Sequence, residues 1–158
     1  MDNFPYSIEE HLAFSSRSHL RETYESPYGN VRFGRLLEFL DVVAGNTCFN
    51  HTGSSSTFVT ASVDRVNFLK PVEVGDTIEF DAAICYVGNS SMNVEVDVKR
   101  RDSGSVTNTC SFTFVAVDEV GEKVDVPKVY PENRERERIF LRGFRRYQRI
   151  TAQRLRPF

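Results

Sequence analysis

The chain has 158 residues, of which 40% are hydrophobic and 27% charged, and a formal net charge of -2. That length and balance describe one domain with an ordinary core and exclude a disordered chain. No apolar run approaches the roughly 20 residues needed to cross a bilayer, and the MDNFPYSIEEH start lacks the basic and apolar regions of a signal peptide, so a cytoplasmic protein without a membrane span is expected.

The small net charge hides an asymmetry. Residues 1–127 carry 10 Lys and Arg against 19 Asp and Glu, whereas residues 128–158 carry 10 against 3. An acidic body, 1–127, is therefore followed by a basic tail, 128–158. The acidic body and the absence of any nucleic-acid-binding module argue against a nucleic-acid partner.

Taken in order, residues 1–25 are mixed and polar, with a short strand expected near His19 to Thr23. Ser26-Pro27-Tyr28-Gly29-Asn30 reads as a loop, with Asn30 as candidate N-cap of the helix that follows. In that helix Leu36, Leu37, Leu40, Val43, Ala44, Thr47 and Cys48 recur at helical spacing and form one buried stripe. Asp41 flanks the stripe, where a carboxylate would touch packed surface, and Gly34 lies seven residues earlier on nearly the same side. Asn46 to Ser56 reads as a polar surface connection.

The period then changes to two. Thr57 to Lys70, Asp76 to Val87, Ser91 to Arg100 and Val106 to Val117 read as strands, the alternation being cleanest in Met92, Val94, Val96 and Val98. Their short separators, Pro71 to Gly75, Gly88 to Ser90 and Arg101 to Gly104, favour an antiparallel meander. One long helix against such a sheet is an α+β layer architecture. From Glu132 to Arg154 an amphipathic helix is expected, with Phe140, Phe144, Tyr147 and Thr151 on one side and a basic solvent face on the other.

Cys48, Cys85 and Cys110 are far apart and odd in number, which suggests small buried residues and neither a metal site nor a disulfide framework. His11 and His19 lie in the N-terminal segment and His51 in a polar stretch, none with an acid and nucleophile arranged around it; a Gly-x-Ser-x-Gly elbow is absent.

An early helix followed by four long antiparallel strands that could wrap it is the outline of a hotdog fold. The runs GNVRFGRLLEFLDVVAG (29–45), VTASVDRVNFLKPVEVGD (59–76), GNSSMNVEVDV (88–98) and FTFVAVDEVGEKVDVP (112–127) resemble the cytosolic acyl-CoA thioesterase family of that fold. The resemblance spans roughly residues 15 to 150, with a domain core at 15–127. It implies hydrolysis of a fatty acyl-CoA thioester between two subunits, with CoA as part of the substrate and no separate cofactor or metal. The assembly implied is a homodimer at least, and a hexameric trimer of dimers beyond that. Asp41 falls on the family's catalytic acid. Gly34 matches the second glycine of a His-Gly-Gly signature whose amides face the thioester oxygen, although Arg32 and Phe33 stand where the His and first Gly are expected. Ser26 occupies the place of a catalytic Asn, with Asn30 nearby, and Ser90 and Ser91 fall where a hydroxyl pair lies opposite the acid.

The chemistry can be tested without the family. Thioester hydrolysis needs an activated water or a nucleophilic carboxylate, and donors for the developing oxyanion. Seven helical residues separate Gly34 from Asp41, about 10 Å along the axis at about 1.5 Å per residue. One chain therefore cannot bring both to one carbonyl, whereas two antiparallel helices about a two-fold axis could. The basic tail has three readings: a solvated helix, a contributor to CoA phosphate binding joined by Lys70 or Arg100, or a nucleic-acid surface.

Plainer readings stand beside these. Asp41 also reads as a hydrogen-bonded boundary residue, Gly34 as a helix-packing glycine, Ser26 as a turn residue and Glu38 as a solvated helix residue. Two functional rivals remain as well. One is a non-catalytic acyl-CoA binding protein; the other is a hydratase or dehydratase on acyl thioesters, which usually needs a His beside the acid.

Overall fold

In the computed structural model, which describes residues 14–16, 26–53 and 57–154, the apolar stripe forms helix α1, Phe33–Thr52. It buries Leu36, Leu40, Val43, Ala44, Thr47 and Cys48, while Leu37 is half-buried at the stripe's edge. Both ends differ from the sequence reading. Arg32, not Asn30, is the N-cap; Asn30 bridges Glu73 instead, and the Val31 amide donates to the Val72 carbonyl at 2.8 Å. The pairing with a distant strand-like segment, invisible locally, pulls Asn30 out of the capping position.

At the other end the helix runs through Asn46 to Thr52, which composition marked as a loop. The polar groups there are satisfied within the fold: Thr47 Oγ1 donates to the Val43 carbonyl at 2.8 Å, and buried His51 bonds the Pro127 carbonyl through Nε2 at 2.8 Å. Gly53, at φ 77°, then stops the helix.

The sheet comprises β1 (Phe14–Ser16), β2 (Thr57–Phe68), β3 (Ile78–Val87), β4 (Ser91–Arg100) and β5 (Val106–Val117), all antiparallel, in the order β1-β3-β4-β5-β2. The strand expected near His19 to Thr23 lies outside the described residues. The meander holds for β3, β4 and β5 but not for β2, which pairs with β5 (Phe58 opposite Ala116, Thr60 opposite Phe114). The Pro71 to Gly75 stretch is thus a crossover along the end of the sheet. It is tied down by the Leu69 and Lys70 amides donating to Thr107 O and by Arg100 Nη2 donating to Pro71 O. A short connection alone does not specify which edge receives the next strand.

One sheet face carries Phe80, Ala82, Met92, Val94, Val96, Phe112 and Phe114, and α1 lies across it over β3, β4 and β5. The other face is covered by helix α2, Arg134–Arg154, giving three layers. A register shift after Ile84 places Tyr86 opposite Asn93, and its ring packs against Phe140, Phe144 and Tyr147 at centroid distances of 5.3, 5.3 and 5.1 Å. Gly143 permits this approach, since a Cβ there would lie 2.8 Å from Tyr86 Cβ and 3.0 Å from the Cys85 carbonyl oxygen. The terminal helix is therefore packed on the body. Its basic face is not wholly solvated either, because Arg142 and Arg146 turn to Glu95 at 3.0 and 2.8 Å. Thr151 is exposed.

All three cysteines are buried and free. Burial pushes the Cys48 thiol up strongly, Cys85 to about 12 and Cys110 to about 11, from the ordinary 9.0. Because the thiolate is the reactive form, native protein at pH 8 should leave all three unmodified by iodoacetamide, as read by intact mass, while unfolding in guanidinium should expose three reactive thiols. The stability these neutral thiols lend is fully present below pH 9.0 and lost as pH rises toward about 11 and above.

Candidate active site

The exposed surface of α1 carries Glu38, Val42 and Phe49 on the side turned away from the sheet and Gly34 and Asp41 on the flank toward β2, all of them exposed in the single chain. The helical pattern dictates this: with the leucine stripe fixed against the sheet, residues on the far side have no intrachain cover. Asp41 is correspondingly exposed, in contrast to the packed surroundings expected from sequence. Thr60 of β2 donates through Oγ1 to Asp41 Oδ1 at 3.0 Å. Thr60 lies opposite Phe114, so it points to the same side of the sheet as α1.

Thr60 was missed by sequence reasoning. The only local signal is a hydroxyl at an inward-facing position of the strand TFVTASVD, and its pairing with an acid nineteen residues away appears only once β2 is placed at the edge beside β5.

Gly34 is the second residue of α1, where the backbone amide has no intrahelical acceptor. A Cβ at Gly34 would meet nothing within 4 Å, so the glycine is not required for packing in this chain. Ser26 behaves as a turn residue: its hydroxyl accepts from the Tyr28 amide at 3.2 Å and its own amide donates to Asn30 O at 2.6 Å. Beside the helix start, Asn30, Phe33, Leu36, Phe68, Lys70 and Asn108 help line an open, largely apolar pocket of about 330 Å³. Phe33 and Phe68 meet edge to face in it at 4.8 Å. Asn108 is buried, and its Oδ1 has no partner among the described residues.

The remaining expected ligand groups fall elsewhere. Ser91 opposes Val115, and side chains alternate along β4, so it shares the α2 side with Glu95 while Asp41 is on the α1 side. Ser90 sits in the same hairpin, its carbonyl accepting from the Ala116 amide. Arg100 is engaged with Asp76 at 2.9 Å and the Pro71 carbonyl at 3.2 Å. Of the four proposed substrate-binding residues, the fold brings Lys70 alone to the pocket beside α1.

Residues 28–107, spanning α1 through the start of β5, match the model of the thioesterase superfamily. The chain belongs to the thioesterase superfamily. Among its relatives is the mitochondrial acyl-coenzyme A thioesterase 4 of Humulus lupulus, 34% identical over 134 residues, which cover 77% of this chain and 25% of that protein. The chain thus spans about a quarter of that relative's length. An acyl-CoA hydrolase from Staphylococcus aureus, solved with butyryl coenzyme A, coenzyme A and coenzyme A disulfide, superposes with a TM-score of 0.83 at 30% identity, over 95% of this chain and 90% of that one. That enzyme has also been solved with an aspartate, an asparagine and a threonine each replaced by alanine. A hexameric acyl-CoA thioesterase in its apo form superposes at 0.81 with 29% identity, over 96% and 98% of the two chains. The superfamily assignment carries the hotdog fold with it: a long helix wrapped by an antiparallel sheet.

Within this thioesterase-superfamily chain, Gly34 offers a clean separation of folding from site chemistry. Gly34→Ala should leave thermal stability unchanged or raise it by up to about 1 kcal/mol, since alanine is the better helix former and meets no neighbour. A loss of kcat/KM for acyl-CoA hydrolysis alongside that unchanged melting curve would place the reacting group close against the helix start.

Proposed function

We propose that the protein hydrolyses the thioester of fatty acyl-CoA to the free acid and CoA, at a site completed by two copies of the chain. The observation that carries this reading is the Asp41–Thr60 pair, an acid oriented by a hydroxyl on the exposed face of α1, in a chain of the thioesterase superfamily. The replacement of an aspartate and a threonine in the similar S. aureus enzyme supports the choice of that pair.

In this reading Asp41 takes a proton from the attacking water, or itself attacks the carbonyl carbon, and Thr60 fixes the orientation of its carboxylate. The Gly34 amide of the second copy donates to the oxyanion, and Ser26 or Asn30 orients the water. The pantetheine arm lies along the pocket beside α1, where the unpartnered Asn108 Oδ1 can accept from one of its amides and Lys70 faces the phosphates. The reaction takes no cofactor or metal, CoA being part of the substrate. A cytosolic location belongs to the proposal too, resting on the sequence resemblance; no helix among the described residues is long and apolar enough to cross a membrane.

The second copy is supported by the chain's exposed surface. Strand β2 is an edge with no partner on its outer side among the described residues, and it is twelve residues long. Val63 on β2, opposite Phe112 on the α1 side, and Val42 and Phe49 on α1 are exposed large apolar residues on the same side of the sheet as Asp41. Pairing β2 with its two-fold copy would cover this edge and stack the helices antiparallel. A trimer of such dimers is the larger assembly proposed, as the hexameric structural neighbour suggests.

A non-catalytic acyl-CoA binder is favoured by one feature, the Arg32-Phe33 start of α1 in place of a His-Gly pair. Among the described residues the hydratase or dehydratase reading has no histidine beside the acid: His51 is buried ten residues beyond Asp41 and bound to Pro127. Thiol release from a panel of acyl-CoAs separates the readings. Asp41→Ala should lower kcat/KM by about 100-fold or more, and Thr60→Ala by about 10-fold, with melting temperatures little changed because both positions are exposed. Tight acyl-CoA binding by the wild type without any turnover would establish the binding-module reading.

A further inference from the structure

On the sheet face away from Asp41, α2 and strands β2, β4 and β5 enclose a second pocket of about 240 Å³, lined by Arg65, Asn67, Asp97, Thr109, Ser111 and Arg146 among others. Arg146 is 7% exposed. Only its Nη2 is bonded, to Glu95 Oε1 at 2.8 Å, while Nε and Nη1 are buried without an acceptor among the described residues. A guanidinium carries five N–H donors, and leaving buried donors unmet costs about 1–3 kcal/mol each, more for a charged group. A fold tolerates such a group where an acceptor arrives from outside.

Arg65 lies in a bulge of β2, between the Asp64 and Asn67 pairs, and holds φ 49°. That left-handed conformation costs a non-glycine residue about 1–3 kcal/mol, and such outliers concentrate where a side chain must be aimed. Here the bulge brings a second guanidinium to the same pocket. Hydroxyls from Thr109 and Ser111 line its floor, and because Asn67 Nδ2 donates to Thr109 Oγ1 at 2.9 Å, the Thr109 proton is left to donate onward.

Two carboxylates also line the pocket, and they must be weighed. Glu95 is matched by two arginines, Arg142 at 3.0 Å and Arg146 at 2.8 Å. Asp97 is pushed up by burial, with Glu95 and Asp81 acting the same way and Lys99 and Arg142 opposing. Three guanidiniums against two carboxylates leave a net positive site.

We propose that this pocket is a binding site for a phosphate group, held by Arg146 and Arg65 with Ser111 and Thr109, and separated from Asp41 by the thickness of the sheet. Guanidinium forks match phosphate oxygens in geometry and charge. The phosphate is either a free phosphate compound or one of the phosphates of CoA; the chemistry of recognition is the same. The proposal does not rest on the thioesterase reading.

The test is calorimetric titration of the intact protein with inorganic phosphate, at constant ionic strength against chloride. The expected result is saturable binding of one phosphate per chain, weakened at least 10-fold in Arg65→Gln and in Arg146→Gln and unchanged in Asp41→Ala. Arg65 is exposed, so its variant remains informative if Arg146→Gln unfolds. Adding CoA to the phosphate-loaded protein distinguishes the sources: displacement identifies CoA's own phosphates, and simultaneous binding a separate compound. Absence of saturable phosphate binding, or binding indifferent to Arg65→Gln, would overturn the site.

Discussion

The burial of one face of α1 against the sheet is the constraint from which the rest follows. Leu36, Leu40, Val43, Ala44 and Cys48 seat the helix over β3, β4 and β5, and at about 25 cal/mol per Å² of apolar surface such a face outweighs any single polar contact nearby. Once that stripe is fixed, the helical period leaves Val42 and Phe49 facing away from the sheet and Gly34 and Asp41 on its flank, all exposed. The acid and the apolar residues around it are outward-facing for the same reason that the leucines are inward-facing. In the proposed reading, a site assembled on that outer face is completed by a second copy.

The sheet divides the molecule chemically as well as spatially. Its α1 side is largely apolar along β3, β4 and β5, with the polar Thr60 and Asn108 toward β2 and the crossover. Its α2 side carries polar groups: Asn93, Glu95, Asp97, Ser111 and Thr113 alternate with the core residues along β4 and β5, Asn93 bonding Thr113 and Glu95 meeting Arg142 and Arg146. The period-two alternation of the strands, strict enough that neighbouring residues serve different faces, puts the Asp41–Thr60 pair and the Arg65–Arg146 pocket on opposite sides of one sheet. The same alternation removes Ser91 from the acid it was expected to face.

Much of this was legible in the sequence because it is encoded locally. The leucine stripe, the alternation of Met92, Val94, Val96 and Val98, and the basic aromatic-lined terminal helix each repeat at their own period within one segment. What the sequence did not disclose is non-local. The place of β2 beside β5 depends on a crossover whose length fits either edge; the extension of α1 through Asn46–Thr52 depends on His51 reaching Pro127; the displacement of Asn30 from the cap depends on Glu73. Thr60 and Arg146 became visible only through partners nineteen and fifty-one residues away.

The central claim is that Asp41 and Gly34 act at one carbonyl from different chains. It is tested most directly by mixing two inactive proteins, Asp41→Ala and Gly34→Pro, each confirmed as folded by circular dichroism, with mixed oligomers verified by mass spectrometry. Proline removes the amide at a helix position where its ring is tolerated. The account predicts that mixed dimers regain thiol release from acyl-CoA, because one of their two sites retains both groups intact. Verified mixed dimers with no recovered activity, from parents that are each inactive alone, would contradict it.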